Sequence, residues 1–264
     1  MRFVRPILLS LILSSCTSCF STASVPTPKG PPLEVRKSDF PHQTLDGLLH
    51  KYVDDKGRVD YKGLAADRDD LLRYLKAVQT VSPHSNPELF ATSEERLAYW
   101  INAYNAYVLF AVTSRPAMRS VNDEKVDFFY LTKYELGGDA INLYDIENEI
   151  VRPEFSEPRV HMALNCASGG CPELPAEAFT PAKLEEQLAR EAAEFCAHPT
   201  KVQVEGDKVR VSSIFDWYSA DFERDGGPIK FCTKWGRADL PDRKPEFLEY
   251  DWRLNAQPGK ALFD

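Results

Sequence analysis

Beyond its first twenty residues the chain has no apolar stretch long enough to cross a bilayer, which takes about 20 consecutive apolar residues in a helix. Its body has no cluster of Lys and Arg, and the formal net charge is −8. An acidic surface repels phosphate backbones, so nucleic acid is not an expected partner. The body also has no CxxC and no HxxxH spacing. That removes the usual signatures of a dithiol redox centre and of a zinc site, and neither metal nor cofactor is expected. No internal repeat is present, which sets aside solenoids and propellers. Strands and helices do not alternate regularly, which sets aside a doubly wound parallel sheet.

The start of the chain, "MRFVRPILLSLILSSC", carries the clearest signal. Arg2 and Arg5 precede a short apolar run from Ile7 to Leu13, too short to span a membrane. "LSSC" at Leu13–Cys16 resembles a bacterial lipobox, which predicts a lipoprotein signal peptide over 1–15 and a diacylglycerol on Cys16. The alternative is an ordinary secretory leader cut a few residues later. Thr17 and Ser18 follow the anchor with no Asp beside Cys16, which points to the outer membrane, with the domain facing the periplasm or the surface. The membrane, reached through Cys16, is then one partner. An envelope substrate or protein of unknown kind is the other.

Residues 16–39 are rich in Pro, Ser and Thr and read as a flexible tether. Residues 40–264 read as one domain, with 43 % hydrophobic and 11 % aromatic residues in the chain to supply its core. Leu45, Leu48, Leu49 and Tyr52 fall at helical spacing, as do Leu71, Leu72, Leu75 and Val78. A helix capped by Thr92 or Ser93 runs to about Ser114 and is apolar nearly all round, so it is expected at the centre. Gly137-Gly138-Asp139 and Gly206-Asp207 mark hairpins. Asp145–Val151 reads as a helix stopped by Pro153, and Val160–Asn165 as a buried strand. A helix opens at Thr180-Pro181 and stops before Pro199. Short helices follow, and "EFLEYDWRLN" reads as a closing strand. The expected fold is α+β: a single domain with a buried central helix and a mainly antiparallel sheet of hairpins.

"YWINAYNAYVLF", "INLYDIENEIVRP", "RVHMALNCASGGCPEL", "SSIFDWYSADF" and "YDWRLN" occur in that order. Their order resembles the bacterial lipoprotein branch of the family called domain of unknown function 547, from roughly Leu45 to the C-terminus. The resemblance bears on the fold more than on an activity. One position departs from the family pattern: Asn148 stands where a histidine often follows Ile146-Glu147, so a role for that imidazole is absent here.

Three readings of the "HMALNCASGGC" segment compete. In the first, Cys166 is a nucleophile, His161 its base, and Asn102 or Glu147 the group that orients the histidine. The small residues Ala167 to Gly170 would admit a substrate or oxyanion donors. This would be a hydrolase or acyltransferase acting on an amide or ester, in the papain or transglutaminase manner. It requires a bend, because residues five apart in a straight strand face opposite ways. In the second, an oxidising compartment closes Cys166 and Cys171 as a local disulfide, worth no more than about 2–3 kcal/mol, and the protein is a non-catalytic binder or scaffold. Cys196 and Cys232 would then be candidates for a second bridge. In the third, His161, Cys166, Cys171 and Glu147 bind a metal, which no spacing supports. Trp100, Asn105, Arg159 and Trp217 are candidate substrate-binding residues. For Asn102 and Asn105 the competing reading is backbone bonding, for Arg159 a structural ion pair, and for Trp217 packing.

Overall fold

The computed structural model describes residues 21–263. The signal peptide, Cys16 and Cys19 lie outside the described residues. Part of the segment expected to be a flexible tether is laid against the domain instead. Strand β1 (Ser21–Thr22) pairs in parallel with Thr132 and Lys133. Val25 is buried, and Leu33 and Val35 pack on the core. A proline-rich segment is extended without internal hydrogen bonds, so its few apolar side chains are free to seat on a neighbouring surface.

Helices α1 (His42–Tyr52), α2 (Tyr61–Ala66) and α3 (Asp69–Thr80) follow. The leucine sets expected from helical spacing are buried on both α1 and α3, and the two helices pack together. Helix α4 (Ser93–Thr113) starts at a reciprocal cap: Thr92 accepts from the Glu95 N–H at 3.1 Å, and Glu95 accepts from the Thr92 N–H at 3.3 Å. Every residue from 97 to 113 is buried, as a helix enclosed by other elements requires.

Strands β2 (Thr132–Leu136) and β3 (Asp139–Asn142) form the expected hairpin about Gly137-Gly138. Both glycines have positive φ, 59° and 91°, the backbone that a tight two-residue hairpin turn asks for. Helix α5 (Leu143–Asp145) runs on through a π-turn (Ile146–Val151) into α6 (Arg152–Phe155). Pro153 therefore does not stop this helix. Proline lacks an N–H and crowds an α-helical i−4 carbonyl, and a wider i→i+5 turn placed just before it is a way for a helix to take it up. The chain leaves the helix at Ser156, in the left-handed region at φ 51°.

The strand expected at Val160–Asn165 is absent, and a 3-10 turn runs over Pro158–Met162. Pro158 opens it, and the Glu157 carboxylate accepts from the Arg159 N–H at 3.0 Å. Arg159, Val160, His161 and Met162 are all buried. An alternating pattern reports a strand only when one face is wet, and here neither is.

Helix α7 (Leu184–Ala197) packs on this turn. The hairpin of β4 (Val202–Glu205) and β5 (Lys208–Ser212) follows, then the short helices α8 (Ile214–Trp217), α9 (Ser219–Glu223) and α10 (Gly227–Lys234). Of the expected closing strand, only β6 (Glu246–Leu248) joins a sheet, parallel to β5. Beyond it the chain makes single bridges, Ser120 to Arg253, Ser168 to Leu254 and Val59 to Ala256.

The fold is α+β. Two three-stranded sheets, each an antiparallel hairpin with one parallel neighbour, flank the helices. The main core surrounds α4. A second cluster gathers α7, β4, β5 and the helices after them, with Phe195, Phe215, Phe222 and Phe231 at its heart.

Candidate functional site

A cleft of about 360 Å³ opens where the π-turn, the 3-10 turn, α8 and the C-terminal segment meet. Its volume lies within the range of small-molecule sites. Glu147 and Arg152 reach it from the helix that carries the π-turn, His161 from the 3-10 turn, and Trp217 and Tyr218 from the end of α8. Cys166 and Cys171 form part of its wall.

His161 is 2 % exposed. Its Nε2 lies 2.8 Å from Asp221 Oδ2. A carboxylate only accepts, so Nε2 carries the hydrogen. The same Asp221 oxygen accepts from Arg152 Nε at 2.6 Å, and Arg152 also donates to Asn148 Oδ1 at 2.5 Å. These bonds, from His161 first and Arg152 next, hold the Asp221 carboxyl well below the ordinary range. Tyr218 stacks on the imidazole at 4.0 Å, and Arg152 lies 4.9 Å over the other ring. Burial, and then the nearby Glu147 charge, push the Tyr218 phenol well above its usual value.

With Nε2 committed as a donor, Nδ1 is the acceptor atom when the ring is neutral. It is buried and has no hydrogen-bond partner. It faces Glu147 Oε1 at 3.6 Å. The Glu147 side chain is 12 % exposed, and no Lys or Arg among the described residues forms an ion pair with it. Above this floor stand aromatic rings. Trp217, Tyr250 and Trp252 pack on one another at 4.5–5.6 Å. Tyr130 and Tyr144 pair at 4.8 Å. Trp217 is 47 % exposed, so one indole surface remains free. Lys125 lies 4.4 Å over the Trp252 ring.

The two cysteines are bonded: Cys166 and Cys171 form a disulfide. Its sulfurs lie 3.2 Å from the Tyr250 hydroxyl on both sides, and Cys166 Sγ lies 3.1 Å from Ser168 Oγ. No hydrogen bond joins His161 to Cys166. The small residues of the loop serve packing rather than substrate access. Gly169 N–H and Gly170 N–H donate to Arg253 O and Asp251 O, both at 2.7 Å. A Cβ at Gly170 would sit 2.7 Å from the Tyr250 ring. Lys201 Nζ donates to Gly169 O at 2.6 Å, and burial lowers that ammonium to about 8.

Of the residues singled out in sequence, His161, Glu147, Cys166, Cys171 and Trp217 meet in this cleft. The others do not. Asn102 bonds both the N–H and the C=O of Phe179, at 3.0 and 2.7 Å, and His42 Nδ1 at 3.0 Å. It braces a loop and does not orient His161. Asn105 does the same for Ala163 O and Asn165 N, both at 2.9 Å. Trp100 is fully buried, edge-on to Tyr99 and His84. Arg159 is held by Glu157 and Glu185 at 2.6 and 2.7 Å and covers Trp235. Cys196 and Cys232 are free thiols buried in the second core, where cysteine packs as a small hydrophobe. A hydrogen bond donated to Cys232, together with burial, pushes the Cys196 thiol up.

Tyr218 and Tyr250 in the cleft wall, and Asp221 behind His161, were not assigned to the site from sequence; Arg152 reads in sequence as a carboxylate binder or a structural ion pair, and it forms the pair with Asp221. Asp221 and Tyr218 are three apart within "SSIFDWYSADF", a spacing that places both on one helical face. That spacing is the one available hint.

Residues 89–196 match the family described as Protein of unknown function, DUF547. The match runs from just before α4 to the end of α7 and includes Glu147, Arg152, His161 and the disulfide. The match is a similarity over less than half of the chain, and it leaves out Tyr218, Asp221 and the C-terminal aromatics. No curated protein and no solved structure was found to match.

Proposed function

We propose that this is a ligand-binding lipoprotein of the bacterial envelope. In this reading Cys16 anchors it to the outer membrane, and the cleft beside the Cys166–Cys171 loop takes the ligand. The disulfide carries the reading. It removes the thiolate that a thiol enzyme needs and fixes the wall on which Tyr250 and Ser168 rest. The expected oxidising compartment favours the same bond. The test is redox mapping of the protein taken from its native envelope. Thiols are alkylated without reductant, and each cysteine is read by mass after digestion. A linked Cys166–Cys171 peptide is expected, with Cys196 and Cys232 free. The same digest reads the mass of the N-terminal peptide, where a diacylglycerol on Cys16 is expected. Free thiols at Cys166 and Cys171 would remove the reading.

A second reading has one observation in its favour. His161 has Nε2 held by a carboxylate and Nδ1 unpartnered in the cleft that Cys166 lines. A cysteine-dependent hydrolase or acyltransferase would use that arrangement once a dithiol had reduced the bond. Cys166 would be the nucleophile and His161 the base, with Asp221 rather than Asn102 as the orienting group. Glu147 would stay on the Nδ1 side. Alkylation of Cys166 in the reduced protein, followed across pH, tests this. Fast labelling of Cys166 below pH 7 supports it, and the rate of an ordinary thiol counts against it.

A further inference from the structure

The floor of the cleft is built from acceptors with too few donors. The Glu147 carboxylate is nearly buried and pairs with no Lys or Arg among the described residues. Beside it the buried Nδ1 of His161 has no hydrogen-bond partner. Of the cations that line the cleft, Arg152 is committed to Asp221 and Asn148, and Lys125 lies over the Trp252 ring. A buried anion without a counter-charge is costly, and so is a buried acceptor without a donor. Glu147 accepts from the Tyr218 hydroxyl and feels the Arg152 charge through space, but no cation touches it and no donor reaches Nδ1, and both groups line an open cleft.

The walls supply the other half of a receptor for a cation. Trp217, Tyr130 and Tyr144 are each at least 39 % exposed, and Tyr218 and Tyr250 stand deeper in the cleft. Aromatic faces attract ammonium groups, most strongly where water is excluded. Lys125 shows the preference within the protein itself, with its ammonium 4.4 Å over Trp252.

We propose that the cleft recognises an organic ammonium, whose N–H groups bond Glu147 and His161 Nδ1 while its apolar body lies against Trp217. This rests on the ligand-binding reading above and names the chemistry of its ligand. The ammonium puts a positive charge in contact with Glu147 and brings the donor that Nδ1 lacks in a single group. An anion of the same size would meet Glu147 with like charge.

The test uses the oxidised full-length chain, labelled with ¹⁵N, and the indole N–H signals of Trp217 and Trp252. Three probes share one ring: benzylammonium, benzyl alcohol and benzoate. Benzylammonium is expected to shift the Trp217 signal saturably and to bind about tenfold or more tighter than the alcohol. Benzoate is expected to be the weakest. Glu147→Gln is expected to make amine and alcohol equal. The comparison among probes is made on the unaltered protein, so it stands even if that variant folds poorly. If the alcohol or benzoate binds as tightly as the amine, the ammonium assignment is wrong and the cleft reading survives. An amine preference that persists in a folded Glu147→Gln variant also overturns the assignment. If none of the three moves either indole signal, both the assignment and the ligand-binding reading fail.

Discussion

Replacing both Cys166 and Cys171 by Ser separates what the disulfide does to the unfolded chain from what it does to the folded loop. The bond closes a sequence separation of 5. For so short a loop the chain-entropy estimate gives about 2 kcal/mol at 25 °C. The folded loop has other ties. Gly169 and Gly170 are pinned to the C-terminal segment through Arg253 O and Asp251 O. Lys201 holds Gly169 O, and Asn165 Nδ2 holds Pro172 O at 2.7 Å. These bonds do not involve sulfur, so the loop should keep its native path and the loss should stay close to the entropic figure. For a domain of this size about 2 kcal/mol corresponds to a fall of about 4–8 °C in Tm. Thermal unfolding followed by circular dichroism measures it on three samples: the oxidised protein, the reduced protein and the double variant. The last two should coincide below the first. A variant that melts with the oxidised protein would refute the entropic reasoning. A fall several times larger would show that the bond, not the surrounding network, shapes the loop.

Asn102→Ala should cost about 2–4 kcal/mol, because it strands the buried N–H and C=O of Phe179; chemical denaturation reads this, and a loss below about 0.5 kcal/mol would argue against a structural role. Burial raises the Glu191 carboxyl to about 7, so the folded state prefers it protonated. Its contribution to stability is present below the ordinary value near 4.5 and is lost as pH rises toward 7. Glu191→Gln should therefore flatten the stability profile over that window, with a gain of order 3 kcal/mol at the top of it. Asp221 has the opposite sign: its carboxyl is depressed, so its contribution is present above 3.8 and is lost as pH falls below that. Asp221→Asn should make acid unfolding less steep below pH 3.8 and cost about 2–3 kcal/mol at neutral pH by leaving Arg152 uncompensated; an unchanged acid profile would remove Asp221 from the account. Gly170→Ala puts a methyl against the Tyr250 ring and should cost about 1–3 kcal/mol by overpacking, with a shift in the tyrosine near-ultraviolet dichroism.

Local signals were legible where the physics is local. The leucines of α1 and α3 state their faces by spacing alone, and Thr92 with Glu95 states where α4 begins. Gly137-Gly138 states its hairpin because few other residues tolerate that backbone. The pairing of Cys166 with Cys171 was readable as one of three outcomes, since proximity in sequence keeps the sulfurs near each other in any fold. The rest depended on contacts between distant segments. Asn102 looked like an orienting group because it is polar on an apolar helix, yet its partner, Phe179, is 77 residues away. His161 looked like a strand residue because the alternation of Val160 and Met162 cannot be told from a turn buried on all sides. Asp221 lies 60 residues from His161, and nothing local to either residue names the other.

The position of His161 explains why a short turn carries so much of the site. Its neighbours in the 3-10 turn belong to different cores. Val160 packs in the main cluster around α4, with Ala163 and Leu164 just beyond the turn, while Met162 packs in the second cluster. The imidazole therefore sits on the seam. Its carboxylate partner comes from α9, on the second-cluster side, where Phe222 lies 5.4 Å from the ring. Glu147 comes from the π-turn, whose Ile146, Ile150 and Val151 belong to the main cluster. The distance between Glu147 and His161 is thus set by how the two clusters are docked, not by either alone. Interiors pack at crystal-like density and shift as bodies more readily than they deform. A repacking of α9 against the 3-10 turn would move Asp221 and His161 together and change their distance from Glu147. Phe222→Leu removes ring volume on one side of the seam only. It should leave the His161–Asp221 pair intact and weaken benzylammonium binding more than it lowers Tm. Equal losses in both would mean that the cleft is an ordinary dent in one continuous core.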